Sequence, residues 1–101
     1  MTVNHTASIA LSGMHAAQAQ MRAAAHNIAN TDTPGFRRHL VHLEPQAGGG
    51  VAATIDKADS AARSIESDLV AQLQAKQSYL ANLAVFKTGN RMAGLLLDEK
   101  S

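Results

Sequence analysis

Apolar positions along the chain fall into two long stretches with helical spacing, separated by a short stretch that alternates. In the first, Ala7, Met14, Met21 and Ile28 recur every seven residues, and Ala10, Ala17 and Ala24 form the adjoining line. Two neighbouring lines with a sevenfold repeat describe a helix with a narrow seam, here alternating large and small side chains. The small ones let a second helix approach closely. With Thr6 or Ser8 as its cap, this predicts a helix over Ala7 to Asn30, ~36 Å long at the helical rise.

The second pattern begins near Asp56 to Ser60 and runs to about Leu97. Leu69, Leu83 and Leu97 share one line, Ile65, Tyr79 and Phe86 the next, and Leu73 and Leu80 flank them. Lys76 and Asn90 interrupt the first line, which lowers stability but fixes register. Glu66, Asp68, Gln72 and Gln77 fall on opposite or flanking faces, and the acids read as capping and a solvated surface. This predicts a helix of ~60 Å. Gly89 and Gly94 each cost roughly 1 kcal/mol in a helix interior, so its last turns are expected to bend or fray.

Between the helices, His39 to Leu43 alternates, Glu44 to Gly50 turns, and Val51 to Ile55 returns. This is the pattern of a β-hairpin with Gly48 to Gly50 at its turn. An isolated hairpin is barely stable in water, so it must lie on something else. The expected fold class is mainly α: an antiparallel pair of N- and C-terminal helices, a coiled-coil-like hairpin, with a short β-hairpin insert. As one structural unit it divides into 1–36 (first helix and corner), 37–57 (insert) and 58–101 (long helix). The helices differ in length, so one end of the longer seam is left for another chain to cover.

The segment Asn27 to Phe36 (NIANTDTPGF) carries the chain out of the first helix. Asn30 stands where the apolar pattern stops, and Asn is second only to Gly in taking the left-handed conformation that ends helices. Thr33 precedes Pro34 and is pushed towards extended backbone. Pro34-Gly35 fits the centre of a type II turn, whose second central residue needs positive φ. Phe36 follows as an apolar anchor and Arg37-Arg38 start the hairpin. The segment reads as a helix stop and a rigid corner.

Composition limits what such a scaffold can do. Much of the 46% apolar content is alanine, and Phe36, Tyr79 and Phe86 are the only aromatics among Phe, Tyr and Trp, so a monomeric core would be thin. A net charge of +1 without a basic block argues against nucleic acid as a partner. There is no Cys, hence no disulfide framework. No run approaches the ~20 apolar residues of a membrane span, and the N-terminus lacks the charged lead of a secretory signal. Export without a cleaved signal peptide is the corresponding expectation.

The histidines offer no metal site, since His39 and His42 are three apart on a strand and point to opposite faces. His15 and His26 fall off the seam and are expected to be exposed. Met14, Met21 and Met92 suit irregular packing. No acid–base pair, oxyanion signature or Gly-rich elbow is present, so no enzyme and no cofactor is expected.

Both ends of the chain resemble one family. Gly13, Met14, Asn27, Ile28, Ala29, Asn30, Thr33, Pro34, Gly35, Phe36 and Arg37 match the N-terminal signature of the bacterial flagellar rod and hook axial proteins. His26 departs from the usual Asn there. Ala75, Tyr79, Ala81, Asn82, Thr88, Met92, Leu96 and Leu97 line up with that family's C-terminal helix, with Gln77 and Gly89-Asn90 as departures. The short insert resembles the proximal-rod type.

The resemblance implies a structural subunit of the basal-body rod that assembles head-to-tail into the axial tube and contributes to motility. Its implied partners are other flagellar rod and axial proteins, copies of itself and the flagellar type III export apparatus. Its implied location is the periplasmic rod. Asn27, Ile28, Ala29, Asn30, Thr33, Pro34, Gly35 and Phe36 would set the corner. Met14, Met21, Leu69, Leu73, Tyr79, Leu80, Ala81, Asn82, Leu83, Phe86 and Met92 would pack helices within and between subunits. The competing reading of the residues is a small secreted helical-hairpin effector or adaptor.

Overall fold

The computed structural model describes residues 3–59 and 65–100, with side chains described for 5–59 and 65–95. Helix α1 (Val3–Ala29) is followed by strands β1 (His39–Pro45) and β2 (Val51–Lys57) and by helix α2 (Ile65–Lys100). The fold is mainly helical, two long helices with a small antiparallel ribbon between them in sequence, as the periodicity predicts. The ribbon reaches beyond Ile55 to Asp56 and Lys57, opposite Leu40 and His39, the end expected for the 37–57 insert. Ser60 lies outside the described residues, as do the side chains of Leu96 and Leu97.

The two helices pack antiparallel. Ala7 meets Gly89 and Gly13 meets Asn82, while Asn27 meets Asp68. The fourteen-residue step from Gly13 to Asn27 matches the fourteen from Asn82 back to Asp68, so the register holds over four turns. Continued at that register, Val3 falls opposite the turn of α2 around Met92. The remainder of α2, through Lys100, runs past the first residue of α1.

The helix seam differs in part from the predicted one. On α1 it is the predicted pair of lines: Ala7, Ala10, Met14, Ala17 and Ala24 are buried. On α2 the line of Ile65, Tyr79 and Phe86 does turn inward at Tyr79 and Phe86, which are half-buried. Its partner line is Asp68, Ala75, Asn82 and Gly89 rather than the leucine line. An alanine-rich helix draws its neighbour in until backbones nearly touch, and only small residues fit at such a seam. Leu69 and Leu73 are therefore displaced outward. Gly89 is buried, and a Cβ added to it would meet the Cβ and backbone of Ala7 at 3.4–3.6 Å. It is a close-approach point, not a fraying one.

A second buried stripe on α1, Ala16, Ala19 and Ala23, continues at helical spacing from Ile9 and Ser12, which touch the ribbon. The ribbon rests on this face. The Ser12 hydroxyl accepts from Val51 N–H at 3.1 Å, and the glycine loop lies against Ile9 and Ser12. Gly48, Gly49 and Gly50 all have positive φ (87°, 102° and 92°), and a Cβ on Gly49 would come within 2.7 Å of Ile9. The glycine run thus both turns the chain and lets the loop approach α1. Sandwiched between α2 and the ribbon, α1 is the hub of a thin slab, 62 × 24 × 14 Å. Among the described residues no large side chain is fully buried.

Candidate functional site

The helix exit is built as a chain of local hydrogen bonds. The Asn30 amide nitrogen donates to the His26 carbonyl at 3.1 Å, and its side-chain Nδ2 donates to the same oxygen at 2.9 Å. Thr31 Oγ1 donates to the Ile28 carbonyl at 2.8 Å, so side chains close the terminal carbonyls that a helix end leaves open. The expectation of a left-handed Asn30 is not met, since no described residue other than glycine has positive φ. Two donors from one residue to the His26 carbonyl make that conformation unnecessary. Asn30 Oδ1 also accepts from Thr33 Oγ1 at 3.1 Å, tying the helix stop to the turn.

That turn has the expected form. Phe36 N–H donates to the Thr33 carbonyl at 3.2 Å, closing a turn centred on Pro34 and Gly35, and Gly35 has φ of 71°. This is type II geometry. Phe36 is half-buried and packs edge-on against His26, ring centroids 5.4 Å apart. His26 in turn stacks on His39 at 4.2 Å with an interplanar angle of 26°. No spacing or periodicity in the chain joins these three rings. They are brought together because the turn reverses the chain over the last turn of α1. Burial, with the positive charges of His26 and Lys57 adding to it, lowers the His39 pKa below its ordinary value.

Beneath the turn lies a polar node that periodicity missed. Asn27 is buried. Its Oδ1 accepts from His39 N–H at 2.7 Å, and its Nδ2 donates to the His39 carbonyl at 3.0 Å and to Asp68 Oδ1 at 3.3 Å. Asp68, expected on a solvated face, is buried and forms an ion pair with Arg38. One residue from each of α1, β1 and α2 meets here, with Arg38 reaching in from just before β1. The available signal was Asp68 itself, which falls seven residues before Ala75 and so shares its line on the helix.

Of the predicted packing residues, Met14 is buried, while Met21, Tyr79, Asn82, Leu83 and Phe86 are half-buried within the chain. Leu69, Leu73, Leu80 and Met92 are exposed, with Leu73 at 65%, and Val70, Val85 and Leu95 join them. Ala81 is also exposed. α2 therefore exposes large apolar residues, interspersed with exposed polar ones, from Leu69 to Leu95 past the start of α1. No helix among the described residues is long and apolar enough to cross a membrane. His42 lies on the opposite face of β1 from His39 and is exposed.

The arrangement is a hydrogen-bonded corner joined to a helix pair whose second helix exposes large apolar residues. Residues 8–37 match the family model described as flagella basal body rod protein. The match is a likeness of this N-terminal segment to that family, over less than half of the chain. It spans the seam of α1, the helix exit and the turn, ending where the ribbon begins. No curated protein matches the chain.

Proposed function

We propose that this chain belongs to the flagellar basal body rod family, which its N-terminal segment resembles, and is a structural subunit of the rod. In this reading it is of proximal-rod type with a reduced insert, stacks head-to-tail with copies of itself and other axial proteins, and contributes to motility. The observation that carries the reading is the number of large apolar residues exposed on α2, Leu69, Leu73 and Leu80 on one side and Val85, Met92 and Leu95 beside it. Burying a leucine side chain is worth about 1.5–3 kcal/mol, so exposing this many is costly in water unless another subunit covers them. Head-to-tail contacts do not close on themselves and so extend a filament.

The corner has a mechanical part in this. Asn30, Pro34 and Gly35 fix the direction in which the ribbon leaves α1, and the Asn27 node locks the ribbon to both helices. A subunit so fixed presents the same surfaces to its neighbours at every step. Export would proceed through the flagellar apparatus without a cleaved signal, placing the assembled chain in the periplasmic rod.

The test is to purify hook–basal bodies from cells carrying the wild-type chain or Leu73→Ser/Leu80→Ser, and to quantify the chain by mass spectrometry. Stoichiometric wild type, with the variant depleted from the particles but present in the cell, is expected. Complete basal bodies that lack the wild-type chain would overturn the proposal.

A further inference from the structure

A cleft of about 260 Å³ opens at the helix exit, lined by His26, Gly35, Phe36, Arg37, His39 and Lys57. We propose that it is an oxyanion site that takes a carboxylate- or phosphate-type group between the two imidazoles, the guanidinium and the ammonium.

Its wall draws positive or protonatable groups from every surrounding segment: His26 from the last turn of α1, Arg37 from the exit of the turn, His39 from β1 and Lys57 from the end of β2. No lining residue is acidic. Asp32 and Asp59, close to Gly35 and Lys57 in sequence, are not among the lining residues. Asp56 turns its Oδ1 back on Lys57 N–H at 2.8 Å, and Asp68 is paired with Arg38. In a chain of net charge +1, this concentrates two permanent and two titratable cations around one opening.

The groups are also held in place. Arg37 Nε donates to the Ala58 carbonyl, the Phe36 edge sets the plane of His26, and Gly35 fixes the turn that carries them. A guanidinium positioned this way is suited to a carboxylate or phosphate, with its paired donors. The imidazoles are 4.2 Å apart, where two like charges repel. An anion in the cleft removes that cost and lets both rings protonate, so occupancy is coupled to their titration.

The full-length chain, with its imidazole Cε1–H resonances followed by NMR from pH 5 to 8.5, provides the test. Chloride, acetate and sulfate would be compared at equal ionic strength. The expected result is that acetate or sulfate raises the midpoints of His26 and His39 by about half a unit or more, the direction an added anion imposes. His15 and His42 should stay still, and the rise should fall by at least about half in Lys57→Gln and in Arg37→Gln, each of which removes one facing cation. A stronger response to acetate assigns the site to a protein carboxylate, and a stronger response to sulfate to a free tetrahedral anion. Equal movement of all the histidines, or none in His26 and His39, would overturn the proposal.

Discussion

The Asn27 carboxamide pairs with both backbone polar groups of His39, accepting from its N–H at 2.7 Å and donating to its C=O at 3.0 Å. In the ribbon, Arg38 O receives Ala58 N–H and Gly50 O receives Gln46 N–H, so alternation along an antiparallel ladder turns the His39 groups outward. Asn27 thus takes the place of one residue of a third strand. At the other end of the ribbon Ser12 accepts from Val51 N–H, on the opposite edge. Two side chains of α1, fifteen residues apart, hold the ribbon at diagonal corners.

Replacing Asn27 by Ala leaves two part-buried backbone groups of His39 unpaired and removes a donor from Asp68. A loss of about 1–3 kcal/mol is expected for leaving such groups unsatisfied, a fall of roughly 4–8 °C in melting temperature for each kcal/mol in a domain of this size. Asn27→Asp keeps the acceptor but sets a second carboxylate beside Asp68, so it should not restore stability. Ser12→Ala should cost less, since it leaves one backbone group of the ribbon, Val51 N–H, without its partner and otherwise removes only a local bond to the Ile9 carbonyl at a half-buried site. Thermal unfolding of the three variants checks the order.

The glycines of the helices separate by what surrounds them. Gly94 has open space where a Cβ would stand, so Gly94→Ala should stabilise by up to about 1 kcal/mol through helix propensity alone. At Gly13 a Cβ would lie 2.7 Å from the Asn82 carboxamide. That group is the end of a side chain, anchored by Nδ2 to the Ser78 carbonyl at 2.9 Å, and it must move. Gly13→Ala should therefore gain less than Gly94→Ala or lose stability, and pairing it with Asn82→Ala should recover the difference. A double-mutant cycle in denaturant reads the coupling.

The elements were legible in the sequence because each has its own period and its own stop. The first helix seam, the ribbon, and the turn at Pro34-Gly35 all lie where pattern and turn chemistry put them. The seam of α2 lies one position from the leucine line that its periodicity favours, on alanine, glycine and asparagine. Against a partner as alanine-rich as α1, close backbone approach favours the small line at Asp68, Ala75, Asn82 and Gly89. The Asn27 node was hidden for a different reason. Its partners are a backbone twelve residues on and a carboxylate on another helix, and no local period encodes either. His26 is exposed, as its place off the seam predicts, but its ring contacts arise from the reversal at the turn and have no local signal.

Gly35 is a backbone requirement without a packing one. Its φ is 71°, and nothing lies within 4 Å of where a Cβ would be. Gly35→Ala should cost about 1–2 kcal/mol, the penalty of a left-handed conformation for an L-residue, with no steric addition. Gly35→Asn should cost less, since Asn tolerates that region. Equal melting temperatures for wild type and Gly35→Ala would show that the turn yields, which the type II assignment does not allow.

The same turn region should make stability depend on pH through His39. Its pKa is lowered in the fold by burial, then by His26 and Lys57, so the unfolded chain takes up its proton at a higher pH than the folded one. Stability from this residue is complete above the ordinary value of 6.5 and declines as pH falls through it towards the lowered native value, where the decline ends. Melting temperatures measured in chloride between pH 7.5 and 5.5 should fall, and His39→Phe should flatten the profile while keeping a ring against His26. His26→Asn removes one of the charges facing His39 and should move the onset of the decline little but reduce its depth, because the unfolded value is unchanged while the native one rises towards it. An unaltered profile in His39→Phe would assign the decline to other groups.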